Sequence, residues 1–165
     1  MRVKAFLFAL CSILLLGACG TPKTGGTVYN IMDYGAKGDG VTDDAAAIQA
    51  AIDQCSKSGG GTVLVPAGRI FMCSPFHLAS FVELHLEPNS CLLANPDEAA
   101  YTLSAFRDNR GEGMMWIYGQ DLKEVSITGT GTIDGNGVSF MGKELEDSYE
   151  LKPVTDFDPR PHVLT

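Results

Sequence analysis

Val125-Ser126-Ile127-Thr128-Gly129-Thr130-Gly131-Thr132-Ile133-Asp134-Gly135-Asn136-Gly137 holds two short apolar alternations, Val125 to Ile127 and Thr132 to Ile133, each closed by glycine. The same unit recurs towards the N-terminus at Trp116 to Tyr118, at Cys91 to Ala94 and at Val82-Glu83-Leu84-His85-Leu86. In the last of these three apolar side chains share one face, and Pro88-Asn89 ends the run. Further back, Thr62 to Val65 is a β-branched strand stopped by Pro66. Such runs are too short for an ordinary hairpin sheet, and few two-residue hairpin turns separate them. Stacked coils fit better, with Val, Leu and Ile facing inward and Gly and Asn making the corners. Because the spacing is irregular, a β-sandwich is the alternative on periodicity alone.

Ahead of these runs Val28 to Ile31 alternates as a short strand, and Asp33 to Gly40 is a Gly/Asp-rich turn segment. Thr42 is the expected helix N-cap, with Asp43 and Asp44 in the first turn, where carboxylates favour the positive end of the helix. Ala45 to Ser56 follows as helix, with Ile48, Ile52 and Cys55 on one face, and Gly59-Gly60-Gly61 ends it.

The first residues read as an address. Arg2 and Lys4 precede an almost unbroken apolar run from Ala5 to Leu16, which ends in Leu16-Gly17-Ala18-Cys19. That ending resembles the bacterial lipobox, which implies cleavage after residue 18 and lipidation of Cys19; a plain secretory signal with an incidental Cys is the alternative. Residues 1–18 are thus expected to be a lipoprotein signal peptide, 19–27 a tether and 28–165 the folded part. The expected location is the bacterial cell envelope, by a lipid anchor only, since acyl chains contribute about 0.8 kcal/mol per buried CH₂. Cys11 leaves with the signal, so Cys55, Cys73 and Cys91 remain. Cys55 is expected as a buried thiol on the helix face, while a Cys73–Cys91 disulfide is left open. No pair has the spacing of a zinc site.

The formal charge is −8, and a surface that acidic repels phosphate backbones, which argues against nucleic-acid binding. After Gly137 the chain turns polar and acidic through Asp158, which reads as a long surface loop. It ends at Pro159-Arg160-Pro161-His162-Val163-Leu164-Thr165, whose last three residues read as a new strand beginning, so continuation into further coils is expected.

Tyr29-Asn30-Ile31-Met32-Asp33-Tyr34-Gly35-Ala36-Lys37-Gly38-Asp39-Gly40-Val41-Thr42-Asp43-Asp44, with Gly59 to Gly68 after the helix, resembles the opening of the pectin-active β-helix proteins. That opening is shared by family 28 glycoside hydrolases (the polygalacturonases), pectate-lyase-like proteins and phage tailspikes. Ile127 to Gly137 looks like the family 28 segment before the catalytic coils, and Arg160-Pro161-His162 resembles the lead-in to the next coil. Family 28 often has tryptophan soon after Ile-Asp-Gly, whereas Val138-Ser139-Phe140 follows here. The resemblance implies an all-β fold, a right-handed parallel β-helix of the pectin-lyase-like kind with an N-terminal cap helix and first coils only. It also implies hydrolysis of galacturonosyl bonds in pectic polysaccharide, with no cofactor. A polysaccharide lyase of the same fold and a non-catalytic glycan-binding or spike β-helix are the alternatives.

Family 28 enzymes are similar in using three aspartates, in Asn-x-Asp and Asp-Asp motifs, followed by Gly-His-Gly and Arg-x-Lys. Inverting hydrolysis needs an acid and a base on opposite faces of the bond, roughly 6.5–9.5 Å apart. Asn95-Pro96-Asp97 and Asp43-Asp44 have the right form in reversed order, and Arg2-Val3-Lys4 falls in the signal. His77, His85 and His162 lack the Gly-His-Gly setting. No catalytic or metal residue is therefore assigned to this chain. Asp134 remains as a candidate against a turn role. Asp39, Asp43 and Asp44 could together bind Ca²⁺, but solvated turn and cap carboxylates are the favoured reading.

Overall fold

The computed structural model describes residues 26–104, 114–144, 151–153 and 161–164. The expected signal peptide, Cys11, Cys19, most of the expected tether, Arg160 and most of the acidic segment lie outside them. Three sheets of parallel strands run through the described residues. The first is formed by β1 (Val28–Asn30), β2 (Gly61–Val65), β5 (Val82–Leu86) and β8 (Ser126–Gly129). The second stacks β3 (Ile70–Cys73), β6 (Cys91–Ala94) and β9 (Thr132–Asp134). The third stacks β4 (Phe76–His77), β7 (Met115–Tyr118) and β12 (His162–Leu164). The chain visits the three sheets in turn, so β2-β3-β4, β5-β6-β7 and β8-β9-β12 are three successive coils of a right-handed parallel β-helix. The same sequence step separates Gly61 from its partner Val82 and Ile70 from its partner Cys91, which keeps the first two coils in register.

Alternation decides which side chains face in. Val63, Val65, Leu84 and Leu86 of the first sheet and Phe71, Cys73, Leu92 and Ala94 of the second are at most 2% exposed. Burying each aliphatic side chain of this kind contributes roughly 1.5–3 kcal/mol. The corners between strands are tight. Gly129 sits at φ 95°, and a Cβ there would collide with the Leu86 carbonyl oxygen of the coil before, so the corner between β8 and β9 in the third coil requires glycine.

The helix α1 (Ala45–Lys57) packs on the first coil, against β1, β2 and β4, and buries Ala47, Ile48, Ala51, Ile52 and Cys55. It covers the coil interior that would otherwise meet water. Its end is a Schellman motif: Gly59 N–H donates to Ser56 O and Gly60 N–H to Cys55 O, with Gly59 left-handed at φ 94°. Its start differs from expectation. The N-cap is Asp44, two residues later than Thr42, because the Thr42 hydroxyl is engaged by Asp39 (2.8 Å). No acidic residue occupies the first turn.

Two further corrections concern strands. Ile70–Cys73 and Phe76–His77 are strands that the sequence pattern did not separate from the turns around them. The segment after Gly137 is not wholly loop. It contains a 3-10 turn at Gly137–Phe140 and an antiparallel ladder between β10 (Met141–Glu144) and β11 (Leu151–Pro153). That ladder follows β9. The segment after β6 begins at Asn95 and the one after β9 at Gly135, at the corner that Ser74 and Pro75 occupy in the first coil. These corners between the second and third sheets share one edge of the β-helix.

Candidate functional site

At that edge the corner residues of successive coils form a polar stack. Asp43 accepts the Ser74 N–H (3.0 Å) and hydroxyl (2.5 Å), and Asn95 Nδ2 donates to Ser74 Oγ (3.0 Å) and, at 3.5 Å, to Asp43 Oδ2. Asn136 of the third coil donates from Nδ2 to Ala94 O (3.0 Å). Desolvation opposes charge on Asp43, but the hydrogen bonds from Ser74, Ala45 and Asn95 outweigh it and hold the carboxyl below its ordinary range. Asp43 and Asn95 thus meet in space, with their hydrogen-bonding capacity spent on joining the helix start to two corners.

The remaining acids flagged by sequence also work on backbone. Asp44, 2% exposed, accepts the N–H groups of Lys37 (2.6 Å) and Gly38 (3.0 Å). Asp39 accepts the N–H groups of Val41 and Thr42 and the Thr42 hydroxyl, which lower its pKa to about 2. Asp97 accepts from Ala99 N–H, Asn95 Oδ1 from Asp97 N–H, and Asp134 from Asn136 N–H. Among the described residues no group of three His, Cys, Asp or Glu is placed to hold a metal ion.

Cys55, Cys73 and Cys91 are all free thiols. The open Cys73–Cys91 pairing is excluded by register: Cys73 lies opposite Ala94 and Cys91 opposite Ile70, three residues (about 10 Å) apart along the ladder. Cys73 also faces the interior, where burial pushes its thiol well above the usual range.

Two constellations escaped the sequence reading. On the first sheet Glu83 accepts the hydroxyls of Thr128 (2.6 Å) and Thr62 (2.9 Å), and His85 Nδ1 lies 2.7 Å from Thr128 Oγ1. The Thr128 hydrogen bond, then that of Thr62, lowers the Glu83 pKa. This ladder spans three coils. The second constellation is a cleft of about 940 Å³ beside β4 and β7, lined by His77, Ser80, Leu103, Met115, Tyr118 and Gln120 among others. His77 and Tyr118 are register partners whose ring centroids lie 6.0 Å apart at 43°. Gln49 of α1 holds His77 from below: the His77 N–H donates to Gln49 Oε1 (2.9 Å), and Gln49 Nε2 donates to His77 O (3.2 Å) and Asp53 Oδ1 (2.8 Å). Neither group was visible in sequence, because its members lie on different coils and meet only through strand register. His85 belongs to the first group and His77 to the second, while His162 begins β12.

The family described as rhamnogalacturonase A/epimerase, pectate lyase-like, matches residues 28–138. An alginate lyase of Azotobacter vinelandii is 68% identical over 40 residues, covering 24% of this chain and 5% of the lyase. A probable polygalacturonase of Vitis vinifera is 34% identical over 120 residues, 66% of this chain and 24% of that protein. Among solved structures, a hyperthermoactive exopolygalacturonase from Thermotoga maritima superposes with a TM-score of 0.59 at 35% identity, covering 67% of this chain and 25% of that one. The chain spans a quarter or less of the length of the curated relatives it matches.

Proposed function

Because the chain belongs to the rhamnogalacturonase A/epimerase, pectate lyase-like family, we propose that it forms the N-terminal coils of a family 28-type glycoside hydrolase acting on pectic polysaccharide. The reaction is hydrolysis of galacturonosyl O-glycosidic bonds. The observation that carries the reading is the agreement in fold and sequence with the Thermotoga exopolygalacturonase over two thirds of this chain. Asp43, Asp44, Asp97 and Asp134 are committed to backbone and corner contacts, so in this proposal the acid and base are supplied by coils beyond those described. The chain of 165 residues alone is expected to be inactive.

The similarity to an alginate lyase favours one second reading, β-elimination on a uronan. The two differ in product. Hydrolysis releases reducing ends without absorbance, whereas elimination leaves an unsaturated uronosyl end that absorbs in the ultraviolet. The gene-length protein, incubated with polygalacturonic acid, rhamnogalacturonan and alginate, is expected to release reducing ends from a pectic substrate without an ultraviolet signal. An ultraviolet signal from alginate or pectate would overturn hydrolysis in favour of the lyase.

The anchor is part of the same proposal. Lipidation at Cys19 would tether the enzyme to the cell envelope, holding it where polymer fragments are captured. Wild type should take up a radiolabelled fatty acid and Cys19→Ser should not; equal label in both would remove the anchor from the scheme.

A further inference from the structure

We infer that the corner carrying Phe81 is a membrane-contact surface, which lays the anchored protein on a bilayer with one edge of the β-helix down. The inference rests on the reading of Cys19 as the lipid attachment and adds to it the face of the fold that meets the lipid. The corner between the third and first sheets repeats in successive coils at Gly60, Phe81 and Glu124, which strand register places one above another. All three have left-handed backbone, at φ 101°, 67° and 51°. The Phe81 N–H donates to Lys123 O (2.9 Å) and its carbonyl accepts the Gly61 N–H (3.1 Å), so the stack holds that conformation in place. Glycine adopts it without strain, whereas a bulky side chain rarely does. Phe81 adopts it with its side chain 45% exposed, so burial within the chain does not offset the strain. A partner outside the chain accounts for an aromatic ring at this position.

Position names that partner. Gly26 and Phe81 line one groove, together with Thr27, Gly60 and Glu124. The stretch from Gly20 to Gly26 joins Cys19 to this groove, and even fully extended it spans no more than about 25 Å. A lipid at Cys19 therefore keeps this corner close to the headgroups. Val28, 57% exposed, opens the first strand just beyond it. The net charge is −8 and Glu124 lines the groove, so anionic headgroups repel this surface and the hold is apolar rather than electrostatic. An aromatic ring and a valine suit the boundary between headgroups and acyl chains. Because the anchor already holds the chain at the surface, one or two such side chains suffice to choose which edge lies down. That choice leaves the corner between the second and third sheets, with Ser74 and Asn95, facing the water.

The test uses the gene-length protein on vesicles of phosphatidylcholine with brominated acyl chains, which quench tryptophan on contact. Phe81→Trp, Val28→Trp and Val41→Trp are each read as the difference from the protein without the added tryptophan. Val41 is the control, exposed in a turn that Gly40 N–H ties to Ile70 O (2.8 Å) beside the second sheet. Fatty-acid label on Cys19 is measured in every variant. With label present, Phe81→Trp and Val28→Trp should be quenched about twofold or more beyond Val41→Trp, as expected for side chains at the headgroup–acyl boundary. Adding Phe81→Gly should bring the Val28→Trp quenching down to the Val41→Trp level. The melting temperature of Phe81→Gly should hold or rise, because glycine relaxes the backbone at φ 67°. A labelled, vesicle-bound protein quenched equally at the three positions overturns the contact and leaves the anchor standing. So does Phe81→Gly that leaves Val28→Trp quenching unchanged, and a fall in melting temperature would assign Phe81 to packing instead. Protein without label overturns the anchor, and the contact with it.

Discussion

Asp39 and Asp44 have the same side chain five residues apart and were read together from sequence as turn or cap carboxylates. In the structure they do different work. Asp44 is buried and ties the Lys37–Gly38 backbone to the helix start, whereas Asp39 is exposed and closes its own turn on Val41 and Thr42. The side-chain types were legible in the sequence, but their partners were not, because a turn carboxylate can satisfy any of several nearby N–H groups. Folding lowers the carboxyls of Asp39 and Asp43 below the ordinary range. Asp39 is held at about 2 against an ordinary 3.8, and Asp43 is lowered in the same direction. A carboxyl lowered by folding stabilises the native state above its ordinary pKa, and this contribution is lost as pH falls through the folded value. The melting temperature should therefore fall as pH is lowered from about 4 towards 2. Asp39→Asn keeps an acceptor oxygen but cannot titrate, so its decline over that window should be shallower. Parallel curves for the two proteins in thermal melts would contradict the assignment.

At the scale of the element, α1 was the most legible feature and its first residue the least. The spacing of Ile48, Ile52 and Cys55 located the buried face correctly, and Gly59 to Gly61 located the end. The start moved because Thr42, a good N-cap in isolation, is recruited by Asp39. Strands followed a similar rule. Val82–Leu86 and Cys91–Ala94 alternate clearly and were found, while β4 has two residues and carries no periodicity to read. Since α1 covers the first coil, Ile48→Asp places a carboxylate at a position with no solvent exposure and no partner. The cost should be roughly 3 kcal/mol or more. Gln54→Ala, on the exposed face, serves as the control and should change stability by less than about 1 kcal/mol. Chemical denaturation of the two variants decides it: equal midpoints would mean that the helix does not seal the coil.

Across the whole molecule, the sequence disclosed the fold class but not the candidate site, because the fold repeats a local rule while the site depends on stacking. Corners and alternations are written within a few residues. The His77–Tyr118 pair and the Thr62–Glu83–Thr128 ladder exist only once coils are laid in register. Stacking also implies a gradient in stability. In a solenoid each coil contacts only its neighbours, so local opening free energy follows how well a coil is covered. The first two coils bury Val63, Phe71, Leu84 and Leu92 completely, whereas Ile127, Ile133 and Val163 of the third are only half-buried. Hydrogen exchange on the chain of 165 residues should therefore show the strongest protection in β2, β5 and β6. Amides of β8, β9 and β12 should exchange faster, because fraying the third coil exposes little apolar surface that is not already wet. Covering the third coil with an added β-helix coil after Thr165 should raise protection in β8, β9 and β12 and leave β2 nearly unchanged, since β2 pairs with β1 and β5. Uniform protection in the shorter chain would mean that the coils open together, and the nearest-neighbour account of this β-helix would have to be given up.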